Sequence, residues 1–173
     1  RSGLNSDCLL SCFDSNKKFL FIRKNGKVVF RAMIRLTKGS YVGDRMRKKI
    51  QFADLSGAGK PKEEEGEELV LFLERYYEKN LAYEEQDQAV YLAFVAAKEK
   101  AKKLGARLVL SCYYQDDVKT KEYIKSNYYL YISKSKNGSQ YLDSLYGEAS
   151  VSDSGDYSSN IFLLENKDQE VAA

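Results

Sequence analysis

Ala101-Lys102-Lys103-Leu104-Gly105-Ala106-Arg107-Leu108-Val109-Leu110 is the stretch on which the fold turns, because it ends one kind of element and opens another. Upstream, over residues 88–104, Val90, Tyr91, Phe94, Val95 and Ala101 recur at helix spacing. Lys98, Lys100, Lys102 and Lys103 crowd the end where the helix dipole favours cations. Gly105 supplies the left-handed residue that commonly ends a helix. Downstream, Leu108, Val109 and Leu110 run without a polar break, which reads as a strand buried on both faces. A helix that feeds the chain into such a strand places the protein in the α/β class.

Outward from this junction lie two hairpin signals. Residues 19–24 and 27–36 are strand-like and flank Asn25-Gly26, the strongest short-range hairpin turn. In the second of these strands Val28, Phe30, Ala32, Ile34 and Leu36 share one face, and Val29, Arg31, Met33 and Arg35 the other. Residues 128–134 and 139–146 repeat the pattern around Asn137-Gly138. Residues 9–13 and 50–55 read as further strands and 106–114 as the buried one. Leu69, Phe72, Leu73 and Tyr76 recur at helix spacing, which predicts a helix over 67–80, and 118–126 reads as a short helix. The Ser, Asp and Gly content of 147–160 predicts a loose segment, and 161–164 reads as a last strand or a helical turn.

The 173 residues contain no His, which excludes Ser-His-Asp and Cys-His nucleophile pairs and His-ligated zinc. Cys8, Cys12 and Cys112 form neither a disulfide framework nor a metal-ligand pattern, so they read as reduced thiols of a cytoplasmic protein, with no metal. No apolar run is long enough to cross a membrane. Net charge is +3, but residues 17–49 hold twelve basic residues and one acid, a local +11 that leaves −8 for the rest. Such segregation marks a face for phosphate, nucleic acid or an acidic protein, or else an acidic half folded back on a basic one. The candidate anion- or nucleic-acid-binding residues are Arg31, Arg35, Arg45, Arg47 and Lys48, with Phe19, Phe21, Met33 and Tyr41 as contact surface. Arg31 and Arg35 lie about 13 Å apart at strand rise, a separation that suits successive phosphates if both are exposed. The competing expectation is a cation-coated outer sheet face that blocks edge pairing.

The order strand, hairpin, glycine loop, helices, buried strand, short helix, hairpin resembles the GNAT acyltransferase fold, most closely from Ala89 to Tyr146. In that family a loop patterned Gln/Arg-x-x-Gly-x-Gly/Ala receives the acetyl-CoA pyrophosphate. Asp54-Leu55-Ser56-Gly57-Ala58-Gly59 matches its glycines, with Asp54 where the family has Gln or Arg. The resemblance implies that Gly57, Ala58, Gly59 and Lys60 bind acetyl-CoA and that Tyr123 is the acid protonating the departing thiolate. Physically, glycines ahead of a helix let backbone amides reach a phosphate. The alternative is that Gly-Ala-Gly-Lys-Pro is a linker and Glu63, Glu64 and Glu65 begin a helix.

Together these readings predict one α/β domain over residues 5–146, GNAT-like, and a loosely ordered segment and tail over 147–173. The domain is a mixed, mostly antiparallel sheet of about six strands with two main helices. Two functions follow. One is an acyltransferase-like domain that binds an anion such as acyl-CoA beside the 57–59 loop, with or without turnover. The other is a non-enzymatic module that docks nucleic acid or an acidic protein on residues 17–49.

Overall fold

The computed structural model describes residues 10–42, 68–114, 123–132 and 155–165; of residues 10, 11, 40–42, 112, 123–129 and 155–165 only the backbone is described. Its elements are β1 (Lys17–Lys24), β2 (Lys27–Val42), β3 (Glu68–Glu78), α1 (Tyr83–Leu104), β4 (Arg107–Leu110), β5 (Tyr123–Ile132) and β6 (Gly155–Glu165), with short 3-10 turns at Leu10–Phe13 and Cys112–Tyr114.

The six strands form one mixed sheet in the order β1-β2-β3-β4-β6-β5. All neighbours are antiparallel except β3 and β4, which run parallel and are joined through α1. The α/β class and the mostly antiparallel mixed sheet therefore stand as expected. The sheet also pairs β5 back onto β2, which closes β2, β3, β4, β6 and β5 into a continuous circuit. β2 makes this possible by its length of 16 residues. β3 lies along one of its edges, while β1 and then β5 follow each other along the opposite edge. Where β1 hands over to β5, Asn16 clamps Leu36 by two hydrogen bonds, Leu36 N–H to Asn16 O at 2.8 Å and Asn16 Nδ2 to Leu36 O at 3.1 Å. Thr37 Oγ1 donates to Tyr131 O just beyond.

Asn25 and Gly26 both adopt positive φ, 50° and 76°, as the tight turn of a β1–β2 hairpin requires. α1 packs on one face of the sheet. Ala89, Ala93, Ala97 and Ala101 recur every four residues along its buried side, small enough to bring the helix close, with Val90 and Phe94 between them. They meet Phe30, Ala32, Ile34, Leu71, Leu73, Leu108 and Leu110. Gly105 ends the helix at φ 62°, its N–H donating to Lys102 O at 3.2 Å and that of Ala106 to Ala101 O at 3.0 Å. The other face of the sheet carries a second buried set, Met33, Val70, Phe72, Val109, Leu130 and Ile132, outside the helix-side cluster.

Four expectations are corrected. Residues 68–78 are strand β3, so one main helix rather than two is found among the described residues. The helix-like spacing arises because β3 bulges: Ala32 faces Tyr76 and Ile34 faces Leu73, leaving Glu74 and Arg75 together opposite Met33. The extra residue turns Leu73 and Tyr76 to the same face at a spacing of three. Residues 10–13 form a 3-10 turn rather than a strand. Tyr123 opens strand β5 and does not lie in a short helix. Residues 155–165 are not loose: they form β6, paired with β4 and along β5, so the domain extends past 146. Main-chain pairing supplies this order, and it needs no particular side chain. The strand over 50–55 and the hairpin partner over 139–146 lie outside the described residues.

Candidate functional site

On the face of β1, β2 and β3 turned away from α1, the sequence alternation and the β3 bulge gather one group of side chains. Leu20 and Ile22 of β1 pack towards the helix, which turns Lys17, Phe19, Phe21 and Arg23 to the opposite face. Across the strands Phe21 is in register with Arg31, and Arg31 with Tyr77. The bulge keeps Glu74, Arg75 and Tyr77 on this same face.

The floor of this face is a buried charged cluster. Arg35 is 2% exposed and its Nε donates to Glu74 Oε1 at 2.6 Å. Lys17, opposite Arg35, is also buried and its Nζ meets Asp14 Oδ2 at 3.3 Å. Among the described residues the cluster thus holds two cations and two carboxylates. Burial holds the Lys17 ammonium below its ordinary pKa of 10.5, with the Arg35 charge acting the same way and Asp14 and Glu74 opposing. The bulge would leave the Glu74 carbonyl out of the ladder, and the buried Tyr114 hydroxyl donates to it at 3.1 Å.

Above the floor Phe13, Phe19, Phe21, Arg31 and Tyr113 are exposed, and Arg75 and Tyr77 are half-buried. Arg31 is exposed and lies 4.9 Å from the Tyr77 ring centroid. Arg75 lies over the same ring at 5.4 Å and over Tyr113 at 4.4 Å, its Nη1 donating to the Tyr113 hydroxyl at 3.3 Å. Beside them Phe19 and Phe21 stack at 5.6 Å between centroids, and Phe13 meets Phe19 edge-on at 6.4 Å. Phe21 is 55% exposed and Phe13 72%. Among the described residues Arg31 pairs with no carboxylate.

The basic segment thus divides. Arg35 does not stand exposed beside Arg31 as expected: it is withdrawn into the ion pair with Glu74, because a guanidinium taken out of water requires a matching carboxylate. Lys24 likewise reaches an acid of the later chain, Glu85 of α1, which holds that carboxyl below its usual range. For Arg35 and Lys24 the acidic half does fold back on the basic one. Arg23 and Arg31 stay at the surface. Met33, expected as contact surface, is buried, whereas Phe19 and Phe21 are exposed. Arg45, Arg47, Lys48, Gly57, Ala58, Gly59 and Lys60, and the side chains of Tyr41 and Tyr123, lie outside the described residues. Arg75, Tyr77, Tyr113 and Glu74 were not singled out from the sequence; the Arg75-Tyr76-Tyr77 and Tyr113-Tyr114 runs were the available signal.

The described element that follows the 57–59 loop is strand β3, and the four described residues before α1 contain no glycine. The first turn of α1 carries Glu84 and Glu85, which disfavour an anion there. No helix among the described residues is long and apolar enough to cross a membrane. Comparison with protein families, with curated proteins and with solved structures finds no match for this chain.

Proposed function

We propose that the protein is a binding module whose ligand is nucleic acid, held on the open face of β1, β2 and β3. The observation that carries this reading is the exposed Arg31 guanidinium, held over the Tyr77 ring and paired with no carboxylate among the described residues, on a face where the Glu74 carboxylate is buried with Arg35. The ring contact orients Arg31 without neutralising it, so its charge is available to a polyanion, and Arg75 lies over the same ring. Arg23 adds a second exposed cation on the same side of β1. Phosphates answer guanidinium groups in charge and in planar hydrogen-bond geometry. Acyl-CoA binding beside Gly57 and Gly59 rests on the sequence resemblance alone, and no described residue favours it.

The test is a titration of the whole chain with a labelled oligonucleotide of about 12 nucleotides at several salt concentrations. Two phosphate contacts, from Arg31 and Arg23, give a slope of log K against log salt of about −1.5 to −2. Arg31→Ala is expected to weaken binding and reduce that slope by a little under one. Affinity that ignores salt, or an Arg31→Ala protein that binds as the wild type does, would refute the proposal.

A further inference from the structure

The nucleic-acid reading leaves open whether the ligand is single- or double-stranded, and a separate observation decides it. We infer that Phe19 and Phe21 are a stacking platform for successive bases, so that the face selects single strands; this inference rests on the reading above. Three phenylalanine rings lie in a contiguous exposed patch: Phe19 and Phe21 on β1, the outermost strand among the described residues, and Phe13 of the preceding 3-10 turn against Phe19. A sheet edge is ordinarily blunted with polar or charged side chains, and β1 keeps those at its ends, Lys18 before the rings and Arg23 and Lys24 after them. Phe19 sits opposite buried Met33 and Phe21 opposite Arg31, and their planes are inclined by only 21°.

The occupant must satisfy both features of this surface. Arg31 is one strand away from Phe21, about 4.8 Å in the pairing direction. A ligand that lays a flat ring on Phe21 therefore brings its neighbouring backbone over the guanidinium. A single strand offers unstacked bases and phosphates at that scale, and stacking on aromatic side chains accepts any base. A duplex covers the π faces of its bases with their neighbours and presents the platform with nothing to stack on. A second copy of this chain is disfavoured, because antiparallel self-pairing of β1 centred between Leu20 and Phe21 sets Lys18 against Arg23 and Lys17 against Lys24. An acidic peptide answers the cations but not the rings.

The experiment is competition against a fluorescein-labelled oligothymidylate of about 12 nucleotides bound to the whole chain, using the unlabelled single strand, a duplex of the same length, and polyglutamate as competitors. The single strand is expected to compete at least about tenfold better than the duplex, and polyglutamate poorly. The Phe19→Ala/Phe21→Ala protein is expected to lose about 5- to 150-fold in affinity for the single strand while keeping its salt slope, since the phosphate contacts remain. Both positions are exposed, so its melting curve serves as the control for folding. Equal competition by duplex with unchanged binding by the double variant, at a preserved salt slope, would overturn the platform and leave the nucleic-acid reading standing. Equal competition by polyglutamate, or no binding at low salt, would remove the parent reading as well.

Discussion

Replacing Glu74 by Gln should be among the most damaging single changes in the protein. The carboxylate is buried with the Arg35 guanidinium 2.6 Å away, and Lys17 is buried on the neighbouring strand. With Glu74 neutral, the described residues of the cluster hold two cations and one carboxylate, Asp14. Removing one partner of a buried pair costs about 3–5 kcal/mol, a large part of the 5–15 kcal/mol that holds a typical domain folded. At a urea dependence of about 2 kcal/mol per molar, the unfolding midpoint should fall by about 2 M. Arg35→Met leaves the opposite imbalance among the described residues, one anion in excess, but Lys17 faces Glu74 closely enough for that charge to act on its titration. The loss should then be nearer about 2 kcal/mol, the scale of one charge-assisted hydrogen bond. The double variant Arg35→Met/Glu74→Leu removes both charges and fills similar volume, and should return to within about 1 kcal/mol of the wild type or exceed it. The assay is urea unfolding of the four proteins followed by circular dichroism. A Glu74→Gln protein within about 0.5 kcal/mol of wild type would refute the reasoning, because it would place the pair in water. A double variant as unstable as Glu74→Gln would refute it too, since the loss would then be one of shape rather than charge.

Other perturbations test separate parts of the structure. Because burial lowers the Lys17 pKa, the unfolded chain holds that proton to higher pH than the folded one, so the penalty for charging Lys17 is relieved as pH rises towards 10.5. Wild-type stability measured against Lys17→Met should accordingly improve between about pH 7 and about pH 10; a pH-independent difference would contradict the burial. Glu85 has the opposite sign: its lowered pKa contributes stability that is present above 4.5 and lost as pH falls through the folded value. Glu85→Gln should therefore show a shallower acid dependence in thermal melts, and an unchanged profile would mean the Lys24 contact does not form in solution. Gly105→Ala meets no atom within 4 Å but must hold φ 62°, so it should cost about 1–2 kcal/mol by calorimetry. No loss there would mean that α1 ends differently.

What the sequence revealed depended on whether one physical signal governed a segment. The β1–β2 hairpin was legible because Asn25-Gly26 answers a local demand for positive φ. The end of α1 was legible because Gly105 answers another, whereas its start was placed at 88, five residues late, because Tyr83, Glu84 and Glu85 are exposed or half-buried and carry no apolar period. β3 was misread because its two-residue bulge imitates a helical spacing and because burial on both faces erases alternation. Its unbroken run Leu69-Val70-Leu71-Phe72-Leu73 was the competing strand signal. The first half of β6 is hidden because Gly155 to Asn160 carries turn-prone residues, and Ile161 to Leu164 alone reads equally as a strand or a helical turn, while the strand's place between β4 and β5 is secured by the backbone. At the candidate site, the exposure of Phe19, Phe21 and Arg31 followed from alternation along β1 and β2. The withdrawal of Arg35 did not, because its partner Glu74 is 39 residues away on a strand taken for a helix. The Arg75–Tyr77–Tyr113 contacts were hidden for the same reason, since they exist only once β3 is a strand and bulged.

The most direct test of the account is a two-dimensional NMR titration of the isotopically labelled chain with unlabelled oligothymidylate. Binding on the open face predicts that the amides of β1 and the ring signals of Phe13, Phe19 and Phe21 move first and furthest, together with Arg31, Arg75, Tyr77 and Tyr113. The outer side of α1, including Tyr91 and Leu92, should stay still. Saturable shifts confined to α1, or a titration that leaves the Phe19 and Phe21 rings unmoved while the oligonucleotide binds, would contradict the assignment of this face.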